Sequence, residues 1–62
     1  MNYKEKIKEL RKKLLSTQTE FADLLGVSLA SVARWELGEN EPTMKIKRKL
    51  KELFMQNGIV ED

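Results

Sequence analysis

"QTEFADLLGVSLASVARWELG", residues 18–38, sets two short helical patterns almost end to end around a single glycine, Gly26. From Gln18 to Leu25, Phe21, Leu24 and Leu25 recur on one side, as the buried stripe of an amphipathic helix does. Thr17 stands three residues before Glu20, the spacing of a capping box: its hydroxyl accepts from the Glu20 backbone N–H while the carboxylate reaches back. Gly26 takes the left-handed conformation that closes a helix more readily than any residue with a Cβ. Ser28 is then the next N-cap, and Val27 and Val32 stand at the spacing of a hydrophobic staple that fixes the entry of the next helix. Gly38 ends that helix as Gly26 ended its predecessor.

Turned at about 100° per residue, this second helix places Val32, Trp35 and Glu36 on one side. Ala30, Ala33, Arg34 and Leu37 fall on the other, with Ser31 on the flank. The large apolar residues face inward, so Trp35 is core rather than a stacking platform. The outer side is mostly small and lets a backbone approach another surface closely. Two helices joined by a three- or four-residue turn containing glycine form a helix-turn-helix, expected here at about 17–37. In that arrangement the second helix, about 28–37, lies in the major groove of duplex DNA while the first crosses the backbone.

Outward from this centre the chain continues as helices. Tyr3, Ile7, Leu10 and Leu14 form one apolar stripe on a charged first helix, which Ser16-Thr17 ends. "GENEP" reads as a loop, with Pro42 blocking an earlier helix start. Thr43 is the expected cap of a last helix whose buried side is Ile46, Leu50, Leu53 and Phe54. Asn57-Gly58 terminates it, and Ile59 stands where a Schellman ending makes its apolar contact back to Phe54. The expected fold is all-α: a small bundle of four helices with room for a short fifth turn at the C-terminus, forming one domain over residues 1–62.

A chain of 62 residues buries only roughly 60% of its unfolded surface, so its core must be economical. It has no cysteine and no histidine, and its carboxylates are not clustered, so neither disulfide, metal site nor cofactor site is expected. Without those groups or a glycine-rich phosphate loop there is no constellation for catalysis, and an enzyme is the least supported class. "MNYKEKIKEL" is charged throughout and lacks the apolar region of a signal peptide. No apolar run reaches membrane-spanning length, so a cytoplasmic protein is expected. The net charge of +2 is unevenly spread. Lys4, Lys6, Lys8, Arg11, Lys12 and Lys13 crowd the first helix, and Lys45, Lys47, Arg48, Lys49 and Lys51 the last. Between them only Arg34 opposes Glu20, Asp23, Glu36, Glu39 and Glu41. Basic flanks suit phosphate contact; solvated lysine faces on surface helices are the plainer reading of the same charge.

The run "TQTEFADLLGVSLASVARWELGENEP", with "LRKKLL" before it, resembles the lambda-repressor/Cro-like (Xre) helix-turn-helix domains of bacterial and phage regulators. The resemblance covers roughly residues 5 to 55. It rests on Gln18, Glu20-Phe21-Ala22, Gly26-Val27-Ser28, Val32, Trp35-Glu36, Gly38 and Pro42 taken together, a combination more specific than any one motif. The resemblance implies sequence-specific binding of double-stranded DNA by a transcriptional regulator. It implies base contacts from Leu29, Ala30 and Arg34, and from Gln18, which also meets a phosphate. Ser28 and Ser31 match backbone-contact positions, and Thr43 and Lys45 are further candidate phosphate contacts at the start of the last helix. An ion pair between Arg11 and Glu36, joining the first and third helices, is implied as well. Two features depart from the pattern. Leu29 and Ala30 offer only apolar contact, of the kind a thymine methyl accepts, and the "GENE" loop is acidic where many relatives are basic.

Two other functions fit the same elements. An antitoxin-like or adaptor module meets a protein partner through this fold, because fold does not fix function. "TMKIKRKLKELF" has the look of a basic amphipathic helix for a membrane surface or a calmodulin-type partner, yet its apolar side is needed to cover the core. Met55, Ile59, Val60 and Leu37 are the spare apolar residues near the C-terminal end, a small surface from which a monomer, or a weak homodimer pairing on DNA, is expected.

Overall fold

The computed structural model describes residues 2–60; Met1, Glu61 and Asp62, the outermost residues of the expected 1–62 domain, lie outside the described residues. Four helices follow in order: α1 (Tyr3–Lys13), α2 (Gln18–Leu25), α3 (Leu29–Leu37) and α4 (Met44–Gln56), with no strand among the described residues. The helix α3 packs against both α1 and α2. Each helix drives its stripe into one cluster: Ile7 and Leu10 from α1, Phe21, Ala22 and Leu25 from α2, Val32 and Trp35 from α3, Ile46, Leu50 and Phe54 from α4, closed by Ile59. Tyr3, Leu14, Val27 and Leu53 pack around its edge, only partly buried. Val27 thereby meets the cluster to which Val32 belongs.

The starts of three helices are held by side chains. Asn2 Oδ1 accepts from the Glu5 backbone at 3.2 Å. Thr17 Oγ1 accepts from Glu20 N at 3.1 Å and Glu20 Oε1 from Thr17 N at 2.9 Å, closing the capping box. Ser28 Oγ accepts from Ser31 N at 3.2 Å. Thr43 departs from its expected role. It occupies the N-cap position of α4 with extended backbone, but its side chain makes no capping bond. The backbone suffices: the Thr43 carbonyl accepts from Lys47 N at 2.8 Å, and the hydroxyl stays on an exposed residue.

All four helices end alike. In each, an amide two or three residues past the end of the helix bonds back to the carbonyl five residues before it, and the amide preceding it bonds to the carbonyl three residues before that amide. The outer bonds are Ser16 N to Arg11 O (3.0 Å), Val27 N to Ala22 O (3.0 Å), Glu39 N to Arg34 O (3.0 Å) and Ile59 N to Phe54 O (2.8 Å). This is the Schellman motif, and it puts one residue per helix in the left-handed region. Gly26, Gly38 and Gly58 hold three of those positions, at φ 71°, 78° and 70°. Leu15 holds the fourth, at φ 54°.

Two residues sit elsewhere than the apolar pattern suggests. Leu24 is 56% exposed, and Ala22 is buried instead. An eight-residue helix makes barely two turns, too few for periodicity to decide which flank of the Phe21–Leu25 stripe faces inward. Ile59 is not spare apolar surface: the Schellman turn folds it back into the core at 4% exposure. No fifth helix follows among the described residues. No helix is long and apolar enough to cross a membrane.

Candidate nucleic-acid interface

The turn between α2 and α3 is three residues, Gly26-Val27-Ser28, and it decides which side of α3 the core covers. Val32, Trp35 and Glu36 are buried, while Leu29, Ala30, Arg34 and Leu37 are exposed and Ser31 and Ala33 half-buried. The outer face of α3 is therefore a strip of small side chains with Leu29 (47% exposed) near its start and Arg34 in the middle. Among the described residues Arg34 makes no ion pair, so its guanidinium donors face solvent.

Behind this strip lies the only buried charged group among the described residues, Glu36, at 4% exposure. Arg11 reaches it from α1 with two parallel bonds, Nε to Oε2 at 2.8 Å and Nη2 to Oε1 at 3.0 Å. This is the bidentate geometry in which a guanidinium and a carboxylate bind most strongly. Arg11 Nη1 also donates to the Ser16 carbonyl at 3.2 Å, tying the end of α1 to the same point. Burial alone would push the Glu36 carboxyl up. The bonds from Arg11 and Gln18, with the charges of Arg11 and Lys8, outweigh it and hold the group below its ordinary value. The hydrogen bond to Glu36 raises Arg11 in turn, against its own partial burial.

Gln18 is the third member of this group. Its Nε2 donates to Glu36 Oε1 at 3.1 Å, so the side chain at the mouth of α2 is half-buried and turned toward α3. The structure thus brings Arg11, Gln18 and Glu36 together, and sets Leu29, Ala30 and Arg34 on one open face. Ser28 and Ser31 lie hydroxyl to hydroxyl, 3.0 Å apart. Thr43 and Lys45 are exposed at the start of α4, on a different element from the other candidates. The bond from Gln18 to Glu36 escaped the sequence reading: eighteen residues separate them, and no helical spacing signals such a contact. Also unforeseen is Lys47, which pairs with Glu41 at 2.9 Å and lies 4.9 Å from the centre of the Tyr3 ring. Part of the acidity of the "GENE" loop is thereby answered within the chain.

Two helices across a glycine turn, the second baring a narrow face with one arginine, define a helix-turn-helix protein. The helix-turn-helix family matches residues 7–54, and the chain belongs to it, in its lambda-repressor-like form. It is 42% identical over 50 residues to a Pyrococcus furiosus protein described as an HTH-type transcriptional regulator, covering 81% of this chain and 16% of that protein. It is 42% identical over 45 residues to the cryptic phage CTXphi transcriptional repressor RstR of Vibrio cholerae, covering 73% of this chain and 40% of the repressor. It is also 52% identical over 40 residues to the type II methyltransferase M.SsoII of Shigella sonnei, covering 60% of this chain and 11% of that enzyme. The chain spans less than half the length of each of these relatives. No solved structure gives a significant match.

Proposed function

We propose that this chain binds double-stranded DNA sequence-specifically as the reading unit of a prokaryotic or phage transcriptional regulator. The observation that carries the proposal is the outer face of α3. Small side chains and one arginine with no ion pair among the described residues stand on a helix whose opposite side is committed to the core. In the proposed complex α3 lies in the major groove. Arg34 reads a guanine through its paired donors, and Leu29 and Ala30 pack against thymine methyls. The hydroxyls of Ser28, Ser31 and Thr43, together with Lys45, hold phosphates, which fix the register without reading sequence. The chain performs no chemistry of its own in this reading. The stretch shared with a methyltransferase is 11% of that enzyme, fitting a domain that locates DNA for whatever it is joined to. A cytoplasmic location goes with the target.

The test is binding to a duplex selected from random sequence, measured across salt concentrations. With several phosphates neutralised, log K falls linearly with log salt. Arg34→Ala is expected to erase preference at one guanine position, a loss of about 1–3 kcal/mol there, while Lys45→Ala weakens all sequences alike. Equal losses on every sequence for Arg34→Ala would reduce it to a phosphate contact. Salt-insensitive capture of a protein, with no duplex preference, would favour the antitoxin-like or adaptor reading.

A further inference from the structure

Arg11 pairs with both oxygens of Glu36 through two bonds. The third bond, from Gln18 Nε2 at 3.1 Å, adds no charge balance. Its larger consequence falls on Gln18. A carboxamide has a donor end and an acceptor end of nearly the same shape, and its orientation follows from its partners. An ionised carboxylate only accepts. Glu36 therefore admits Nε2 and repels Oε1, and the flip is decided inside the protein before any ligand arrives. What remains for a ligand is Oε1 as acceptor and the second Nε2 hydrogen as donor.

Building on the DNA-binding reading above, we infer that Glu36 is a positioning residue for base recognition: it holds the Gln18 carboxamide with its donor–acceptor edge outward, the edge complementary to adenine. In the major groove adenine presents an N7 acceptor beside an N6 donor, and Gln meets both at once. A phosphate presents acceptors only and engages just the second Nε2 hydrogen, leaving Oε1 idle, whereas adenine engages both free groups of Gln18 at once. Arg11 contributes at one remove, by keeping Glu36 ionised. A pair that looks purely structural thereby sets a base preference through its third partner.

The experiment compares bound-sequence profiles of the wild type, Gln18→Met and Glu36→Gln, selected from the same random duplex pool. Gln18→Met is expected to lose one adenine preference, of about 5- to 150-fold, and keep the others. Glu36→Gln accepts either end of Gln18, and so is expected to lose preference at that same position while keeping the position read by Arg34. An unchanged profile in folded Glu36→Gln overturns the inference. So does uniform weakening at every position, which is what a merely structural role produces, or an adenine preference that survives Gln18→Met. Should Glu36→Gln fail to fold, the wild type decides by NMR: one Gln18 Nε2 proton is expected to exchange with solvent more slowly than those of exposed Gln56. Equal exchange overturns the inference. A wild type with no sequence preference sinks the DNA-binding reading itself, a result distinct from any of these.

Discussion

Glu36 carries its charge at 4% exposure, and its side chain is less exposed than that of its partner Arg11. That asymmetry predicts which truncation hurts. Arg11→Met keeps the aliphatic stem but strands a buried carboxylate, and breaking a buried pair in this way costs roughly 3–5 kcal/mol. Partial exposure of Arg11 places the expected loss near the lower end, read as a shift in the urea midpoint. Acid should find the same weak point. Because the carboxyl is held below its ordinary value in the folded chain, the stability it contributes is complete above the unfolded carboxyl pKa of about 4.3. It is lost as pH falls through the lower folded pKa. Glu36→Gln is expected to flatten that acid slope of stability; an unchanged slope would assign it to other carboxylates. Little of this was legible in the residues alone. The Arg11–Glu36 pairing came from family resemblance, since the partners stand 25 residues apart. The bond from Gln18 had no signal, because periodicity speaks of faces and not of which atoms meet across them.

At the level of the helix, the shared ending of all four elements isolates a single conformational cost. Three of the four left-handed positions are glycine and the fourth is Leu15, 91% exposed and packed against nothing that would repay its conformation. A residue with a Cβ in that region costs roughly 1–2 kcal/mol, and glycine gives back about 0.5–1 kcal/mol in unfolded-chain entropy. Leu15→Gly is therefore expected to raise stability by about 0.5 kcal/mol, seen as a higher thermal midpoint with unchanged helical circular dichroism. The converse holds at Gly26. A Cβ built there meets nothing within 4 Å, so Gly26→Ala should cost only the conformational term, about 1 kcal/mol. A much larger loss would mean that the turn itself is rearranged. Helix starts and stops were the most legible part of the sequence, because Thr17, Glu20, Ser28, Gly26 and Gly38 act on their own neighbours. Where the choice was tertiary it was not legible. Leu24 and Ala22 compete for the core on a two-turn helix, and it is tertiary packing that buries Ala22 and leaves Leu24 exposed. Leu15 gave no warning, since nothing in "RKKLLS" marks a leucine for the left-handed position that glycine holds elsewhere.

For the whole molecule, specificity and assembly are one problem. The proposed recognition face, with a single long polar side chain and at most Gln18 beside it, would span too few base pairs to mark one site in a genome. Helix-turn-helix proteins meet this by pairing, with two such helices about 34 Å apart on half-sites one turn apart. The surface available for pairing in solution is meagre. Ile59 belongs to the core, which leaves, among the described residues and apart from Leu29 on the proposed recognition face, Met55 (69% exposed) and Val60 (71%) near the C-terminal end, Leu37 (66%) at the end of α3, and Leu15 and Met44 apart from them. Leu24 adds an apolar edge to the shallow groove it forms with Leu53 between α2 and α4. Such scattered side chains fall well short of the ~800 Å² per partner that a standard stable interface buries. The expected behaviour is a monomer at micromolar concentration that binds an inverted repeat as two copies, the duplex supplying the organisation that the protein surface lacks. Sedimentation equilibrium with and without the selected duplex checks this, and spacing variants of the repeat sharpen it. Inserting half a helical turn between the half-sites should abolish paired occupancy while leaving single-copy binding intact. A tight dimer without DNA, or one chain saturating a full palindrome, would show that the second copy is either prearranged or unnecessary.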